Sequence, residues 1–300
     1  MIGRVHTPIA VYLIGVLGIA TFAGMDAVMK GLVLAIGVYT TMFWRNLVGI
    51  GISGAIYLPG RKAWPPRATM HIHLMRGILS TGMGFLFFWG LGRVPLAQAV
   101  ALAFIAPLIA LYLASVMLHE KIGKRTVGGS LIAFAGVAVI FVGQAQADLG
   151  REALIGSLAI LVSAALYALN IIIMRQQALV AKPLEIAFFQ SVIVTVTLAL
   201  LIPVVGIALP PPPQWPPLLL AAGLAFASML LLSWAYARAE ASYLASTEYS
   251  AFLWAVLFGW MYFGELVSLF TLAGAALIVT GCLLAARRPE EASPTLEAAT

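Results

Sequence analysis

Residues 95–121 read PLAQAVALAFIAPLIALYLASVMLHEK. Between Leu96 and Leu118 no side chain is charged; His119, Glu120 and Lys121 then follow in a row. A spanning helix needs roughly 20 apolar residues, and this run supplies them. Amphipathic helices of soluble proteins place polar residues every third or fourth position; this run does not. The same pattern recurs along the chain, giving ten spans near 9–30, 36–58, 71–92, 95–118, 126–143, 153–174, 184–204, 216–237, 242–263 and 267–286. The composition agrees: 62% of the 300 residues are hydrophobic and 9% are charged, against about a quarter charged in soluble domains. An outer-membrane barrel would alternate apolar and polar residues, and these runs are continuous. The fold expected is an all-α polytopic membrane protein.

Connections are short, which leaves no room for a separate soluble domain. Residues 287–300, with Pro289 and Pro294, read as a disordered cytoplasmic tail. The first span is long for a signal peptide and leads into nine more, so it reads as a retained helix. Placing the N-terminus inside puts Arg4, Arg61, Lys62, Arg67, Lys121, Lys124, Arg125, Arg175, Lys182, Arg238, Arg287 and Arg288 on the cytoplasmic side. Lys30, Arg93 and Arg151 are left outside. The positive-inside rule then expects both termini in the cytoplasm of a bacterial inner membrane. The net charge of +6 sets orientation and implies no nucleic-acid partner.

A shift of 145 residues aligns the halves without a gap: Trp89 falls on Trp234, Arg93 on Arg238, Glu120 on Glu265, and Gly129 and Gly136 on Gly274 and Gly281. Each half, 1–145 and 146–286, holds five spans. An odd number makes the second copy enter the membrane from the opposite side, and inverted repeats of this kind are typical of secondary transporters. The expectation is two inverted five-helix repeats with a substrate site near the midplane, complete within one chain and so able to work as a monomer.

The two segments Ala106-Pro107-Leu108 to Lys121, and Tyr262-Phe263-Gly264-Glu265 with the Gly-rich tenth span, resemble the drug/metabolite transporter superfamily in its ten-span EamA-type branch. The resemblance covers about 9–286, and more narrowly the chain is similar to bacterial aromatic amino-acid exporters. It implies a cavity lined by spans one to four and six to nine, with Phe252 standing where the first half has Pro107.

Ionisable residues inside a membrane normally face protein or water. Asp26, Arg45 and Glu248 are of this kind. Asp26 and Arg45 suit either the two charged ends of a zwitterion or a structural ion pair. Glu248 suits a proton or ammonium ligand, or a partner for Arg238 or Arg76. Asn46, Gln98, Asn170, Gln190 and Ser246 suit a polar substrate core or interhelical bonding. Trp44 and Tyr249 offer ring faces. Pro107 breaks backbone hydrogen bonding and reads as a hinge, and Glu120 and Glu265 read as inverted gates or caps. Gly128, Gly129, Gly136, Ala273, Gly274 and Gly281 are expected to pack the halves together. His71 and His73 read as interfacial.

No HExxH, GxSxG, Walker loop or metal-ligand spacing occurs, so no cofactor and no enzyme activity are expected, and the lone Cys282 forms no disulfide. The function expected is export of amino acids, aromatic or broadly neutral, by alternating access. The alternatives are efflux of drugs or of another metabolite such as a nucleotide sugar, a lipid-handling intramembrane enzyme, and a passive channel.

Overall fold

A computed structural model describes residues 8–61, 63–118, 124–146, 150–238 and 247–286. All regular structure among them is helical: α1 (Pro8–Ile36), α2 (Val38–Gly60), α3 (Arg67–Leu91), α4 (Leu96–Ala103), α5 (Ala106–Leu118), α6 (Lys124–Gln146), α7 (Gly150–Val180), α8 (Pro183–Ala199), α9 (Ile202–Val205), a 3-10 turn at Pro212–Gln214, α10 (Trp215–Tyr236), α11 (Ser250–Phe263) and α12 (Leu269–Ala286). The tail, Glu120 and Ser246 lie outside the described residues.

The sequence boundaries are displaced where helices outrun the bilayer. The first and sixth spans become helices of 29 and 31 residues, longer than a 30 Å hydrocarbon layer needs at 1.5 Å per residue. Lys30, counted above on the outer side at the end of the first span, lies within α1 and is 5% exposed. The fourth span is broken: α4 ends at Ala103 and α5 begins at Ala106. Pro107 has no N–H to return to Ala103, so the helix opens one turn before it. The freed Phe104 carbonyl accepts the Cys282 thiol at 3.3 Å, a neighbouring helix satisfying a backbone group that lipid would leave unpaired. The seventh span divides into α8 and α9.

The packing repeats with the sequence. Ser163 Oγ donates to the Met83 carbonyl and Ser228 Oγ donates to the Gly18 carbonyl, 2.7 and 2.8 Å. Under the 145-residue shift Ser163 corresponds to Gly18 and Met83 to Ser228, so one pair is the other with donor and acceptor exchanged. Likewise a Cβ on Gly90 would sit 2.5 Å from the Gly156 carbonyl, and the corresponding residues Ala235 and Val11 form their own buried contact. Helix α3 thus packs on α7 as α10 packs on α1. Other contacts join an element to its own counterpart at the pseudo-two-fold axis. Helix α6 meets α12, its own counterpart, through Gly136 against Gly274 and Gly129 against Gly281. Phe104 meets its counterpart Tyr249 edge to face at 5.5 Å, so the fourth and ninth spans touch at the axis. The Arg93 and Arg238 guanidinium groups cap their helices identically, over Trp89 at 3.5 Å and over Trp234 at 4.1 Å.

The paired serines give a symmetric prediction. Ser163→Ala and Ser228→Ala should each lower thermal stability by a similar small amount, about 0.6 kcal/mol. Melting of the two variants in the same detergent checks it; a large cost at one site alone would break the equivalence.

Candidate functional site

A group of buried polar side chains stands out on α1, α2 and α8, with α2 packed against both other helices. Asp26 is 4% exposed and its Oδ1 has no hydrogen-bond partner. Arg45 sends Nη1 to Met25 Sδ at 3.6 Å and Nη2 to Asn46 Oδ1 at 3.2 Å, and Asn46 donates to the Met42 carbonyl at 2.7 Å. The anticipated Asp26–Arg45 ion pair is not made within 4.0 Å. Arg45 is turned toward the sulfur and the amide, and the carboxylate beside it stays open. Thr41 Oγ1, Gln190 Oε1 and Thr195 Oγ1 are likewise buried without partners. Tyr39 donating to the Leu198 carbonyl at 2.7 Å, and Gly49 against Ser191, set α2 antiparallel to α8 with Thr195 near the level of Arg45. Buried polar atoms are normally paired; unpaired ones on these helices, with an arginine beside an open carboxylate, are the chemistry of a polar ligand site.

A latch closes one end of the bundle near this cluster. Lys30 Nζ donates to Glu265 Oε1 and, at 2.6 Å, to the Val94 carbonyl. Glu265 Oε2 accepts the Leu96 N–H at 2.7 Å, capping α4 at its positive end. The chain reaches Glu265 through Gly264, whose φ of +63 suits a residue without Cβ. Three segments, α1, the α3–α4 turn and the α11–α12 turn, are thereby tied together. Sequence reading singled out Glu265 and missed its partner, because Lys30 sits four residues after Asp26 on what looks like a helix end.

The other candidates bond locally or between helices. Gln98 donates to Ser157 Oγ at 3.2 Å, which donates to Gln144 Oε1 at 3.2 Å, joining α4, α7 and α6. Asn170 Oδ1 accepts from Ser80 Oγ at 3.3 Å. Glu248 accepts the Tyr236 hydroxyl at 2.7 Å and makes no ion pair with Arg238 or Arg76. Trp44 donates Nε1 to the Ala208 carbonyl at 3.0 Å and meets Trp215 edge to face at 5.4 Å, so it anchors the segment before α10. Among the described residues no three His, Cys, Asp or Glu side chains gather as metal ligands.

His73, read as interfacial at the start of its span, faces protein and not water. Its side chain is buried, stacked on Phe189 at 4.8 Å and bonded at both nitrogens. Partners on α7 and α8, about a hundred residues on, draw it inside, and no local pattern reveals them.

The EamA-like transporter family model matches twice, at residues 9–142 and 154–287. The chain belongs to the EamA-like transporter family. A pseudopaline exporter of Pseudomonas aeruginosa is 25% identical over 92% of this chain and 95% of its own. A riboflavin transporter of Rhizobium johnstonii is 29% identical over 72% of this chain and 70% of its own. A crystal structure 21% identical, covering 93% of this chain and 98% of that one with a TM-score of 0.61, shares the fold. The protein is therefore a polytopic membrane transporter with ten spans in two inverted five-helix repeats.

Proposed function

We propose that this EamA-like transporter exports zwitterionic amino-carboxylate solutes, amino acids among them, by alternating access. Its halves, 1–145 and 146–286, would move about the α6–α12 seam. The observation that carries the reading is the buried Asp26 beside Arg45 with neither saturating the other. A carboxylate arriving at Arg45 gains a charge-assisted bond, and an ammonium group at Asp26 gains its counterion. The resemblance to a named pseudopaline exporter supports export. Both termini would be cytoplasmic in a bacterial inner membrane, which puts the Lys30–Glu265 latch on the outer side. Gln190 and Thr195 would supply neutral contacts, and the Pro107 break, with Glu265 and Glu120, would serve the moving parts. Asn170, Gln98, Glu248, Tyr249, Trp44 and Ser246 remain pathway candidates; the first five make helix contacts.

Counterflow in liposomes containing the purified protein tests this. Vesicles preloaded with unlabelled phenylalanine should take up labelled phenylalanine saturably, faster than unloaded vesicles. Uptake of riboflavin alone would replace the zwitterion reading with one for uncharged ring systems, which the Phe43–Trp44–Trp215 cluster favours. Conduction without saturation would indicate a channel.

The latch gives a separate expectation. Glu265→Gln removes the charge that holds Lys30 and should free the closed end by about 2 kcal/mol, the lower end for breaking a buried pair. That is roughly 30-fold in population. A cysteine placed at Val94, which is 2% exposed, should react with a membrane-impermeant maleimide correspondingly faster in that variant. Equal rates would show the pair to be a static cap.

A further inference from the structure

At the end of the bundle away from the latch, four side chains form one directed chain of hydrogen bonds. Arg76 Nη1 donates to Gln177 Oε1. Gln177 Nε2 reaches His73 Nδ1 at 2.6 Å. His73 Nε2 reaches Glu185 Oε1 at 3.1 Å. Its polarity follows from chemistry alone. Arginine only donates, so Gln177 must offer it oxygen and turn its amide N–H₂ toward His73. His73 Nδ1 must therefore accept, and the ring proton must sit on Nε2, where the Glu185 carboxylate receives it. Only neutral His73, in this one tautomer, satisfies every link.

The inverted counterpart shows that the fold does not need this chain. The positions corresponding to His73, Arg76, Gln177 and Glu185 are Leu218, Ala221, Leu32 and Thr40. Leu218, Ala221 and Leu32 belong to the buried apolar core. One of these two equivalent seams, α1 with α10, is filled with hydrocarbon; the other, α3 with α7, spends buried polar groups there, at a cost apolar packing avoids. Nothing in the substrate reading uses them.

We propose that His73 is a proton-binding site whose occupancy unlocks α3 from α7. A proton added at Nδ1 points at the Gln177 N–H₂, donor against donor. The amide can turn to present its oxygen, but its nitrogen then faces the Arg76 guanidinium, again donor against donor. Charging His73 therefore breaks one link of the α3–α7 seam while its bond to Glu185 becomes an ion pair. Glu185 is 19% exposed along its side chain and connects the site to solvent. The other titratable groups facing it are Tyr57 on α2, within electrostatic reach of Glu185 and Arg61, and Tyr167 on α7, beside Arg76. A site of this kind ties the proton gradient to the movement of the halves.

The test needs no substrate. In the full-length protein with Cys282→Ser, nitroxide labels are attached at His71→Cys and Leu179→Cys, both exposed on α3 and α7, and the distance between them is measured by pulsed electron resonance at pH 8 and pH 5.5. A second distance population should appear at the lower pH. It should be absent when His73→Gln is added. Gln177→Glu, which can accept the new proton, should move the transition upward by about one pH unit, tenfold in proton affinity. This second variant keeps the test intact if the first does not fold. Identical distances at both pH values, the same change with His73→Gln, or a transition unmoved by Gln177→Glu would overturn the proposal. Failure of phenylalanine counterflow would sink the substrate reading and leave this result standing.

Discussion

Arg45→Gln is expected to reduce counterflow of a zwitterionic substrate by about two orders of magnitude with the folded yield retained. Losing a charge-assisted bond to a buried carboxylate costs about 2–4 kcal/mol, roughly 30- to 1000-fold. Folding should be affected less. Arg45 contributes one bond to Asn46 at 3.2 Å and a sulfur contact at 3.6 Å, and glutamine can keep the first. Asp26→Asn should act on the same substrates through the ammonium end. The discriminating variant exchanges the charges, Asp26→Arg with Arg45→Asp. A site that reads a zwitterion by its two ends keeps both charges in the exchanged protein and should recover part of the activity lost in each single variant. Recovery of none would remove the pair from the substrate path. An uncharged substrate should be nearly indifferent to Arg45→Gln, so measuring riboflavin beside phenylalanine separates a ligand role from a general defect.

The repeat was legible in the sequence because rare residues keep their spacing. Trp89 and Arg93 recur as Trp234 and Arg238, and the same ring-and-guanidinium cap recurs with them. The small faces of the fifth and tenth spans were legible for a similar reason: glycine at 129, 136, 274 and 281 has no place in a lipid-facing design except close contact. What escaped was partnership across long separations. Lys30 and Glu265 are 235 residues apart, and His73 and Gln177 are 104 apart. Each was assigned by depth along its own span, and depth says nothing of which neighbour a side chain meets. Asp26 and Arg45 show the converse. Both were placed in the membrane and near each other, yet the direct ion pair expected of them is not made, because Arg45 is drawn aside by Met25 and Asn46. Sequence proximity on adjacent spans gives neighbourhood, and side-chain competition decides contact.

The same reasoning makes the α6–α12 seam the place where one added carbon should cost most. A Cβ on Gly136 would lie 2.6 Å from the Gly274 carbonyl and 2.9 Å from the Ile278 nitrogen, and one on Gly274 would lie 2.6 Å from the Gly136 carbonyl. Both obstacles are backbone, which cannot rotate away as a side-chain tip can. Gly281 likewise meets the Gly129 carbonyl and the Ala133 nitrogen. Relief requires the two helices to separate along their length, losing dispersion contacts that lipid does not replace as well. Gly136→Val should therefore destabilise the protein by about 3 kcal/mol, the upper end for overpacking. Gly281→Val should do the same, because it enters the seam from the opposite helix. Gly128→Val is the control: the same substitution on the same helix, where a Cβ meets nothing within 4 Å, should leave melting nearly unchanged. Thermal unfolding in detergent reads all three. If Gly136→Val melts with Gly128→Val, the halves do not rely on this seam, and the pivot assigned to it in alternating access must lie elsewhere.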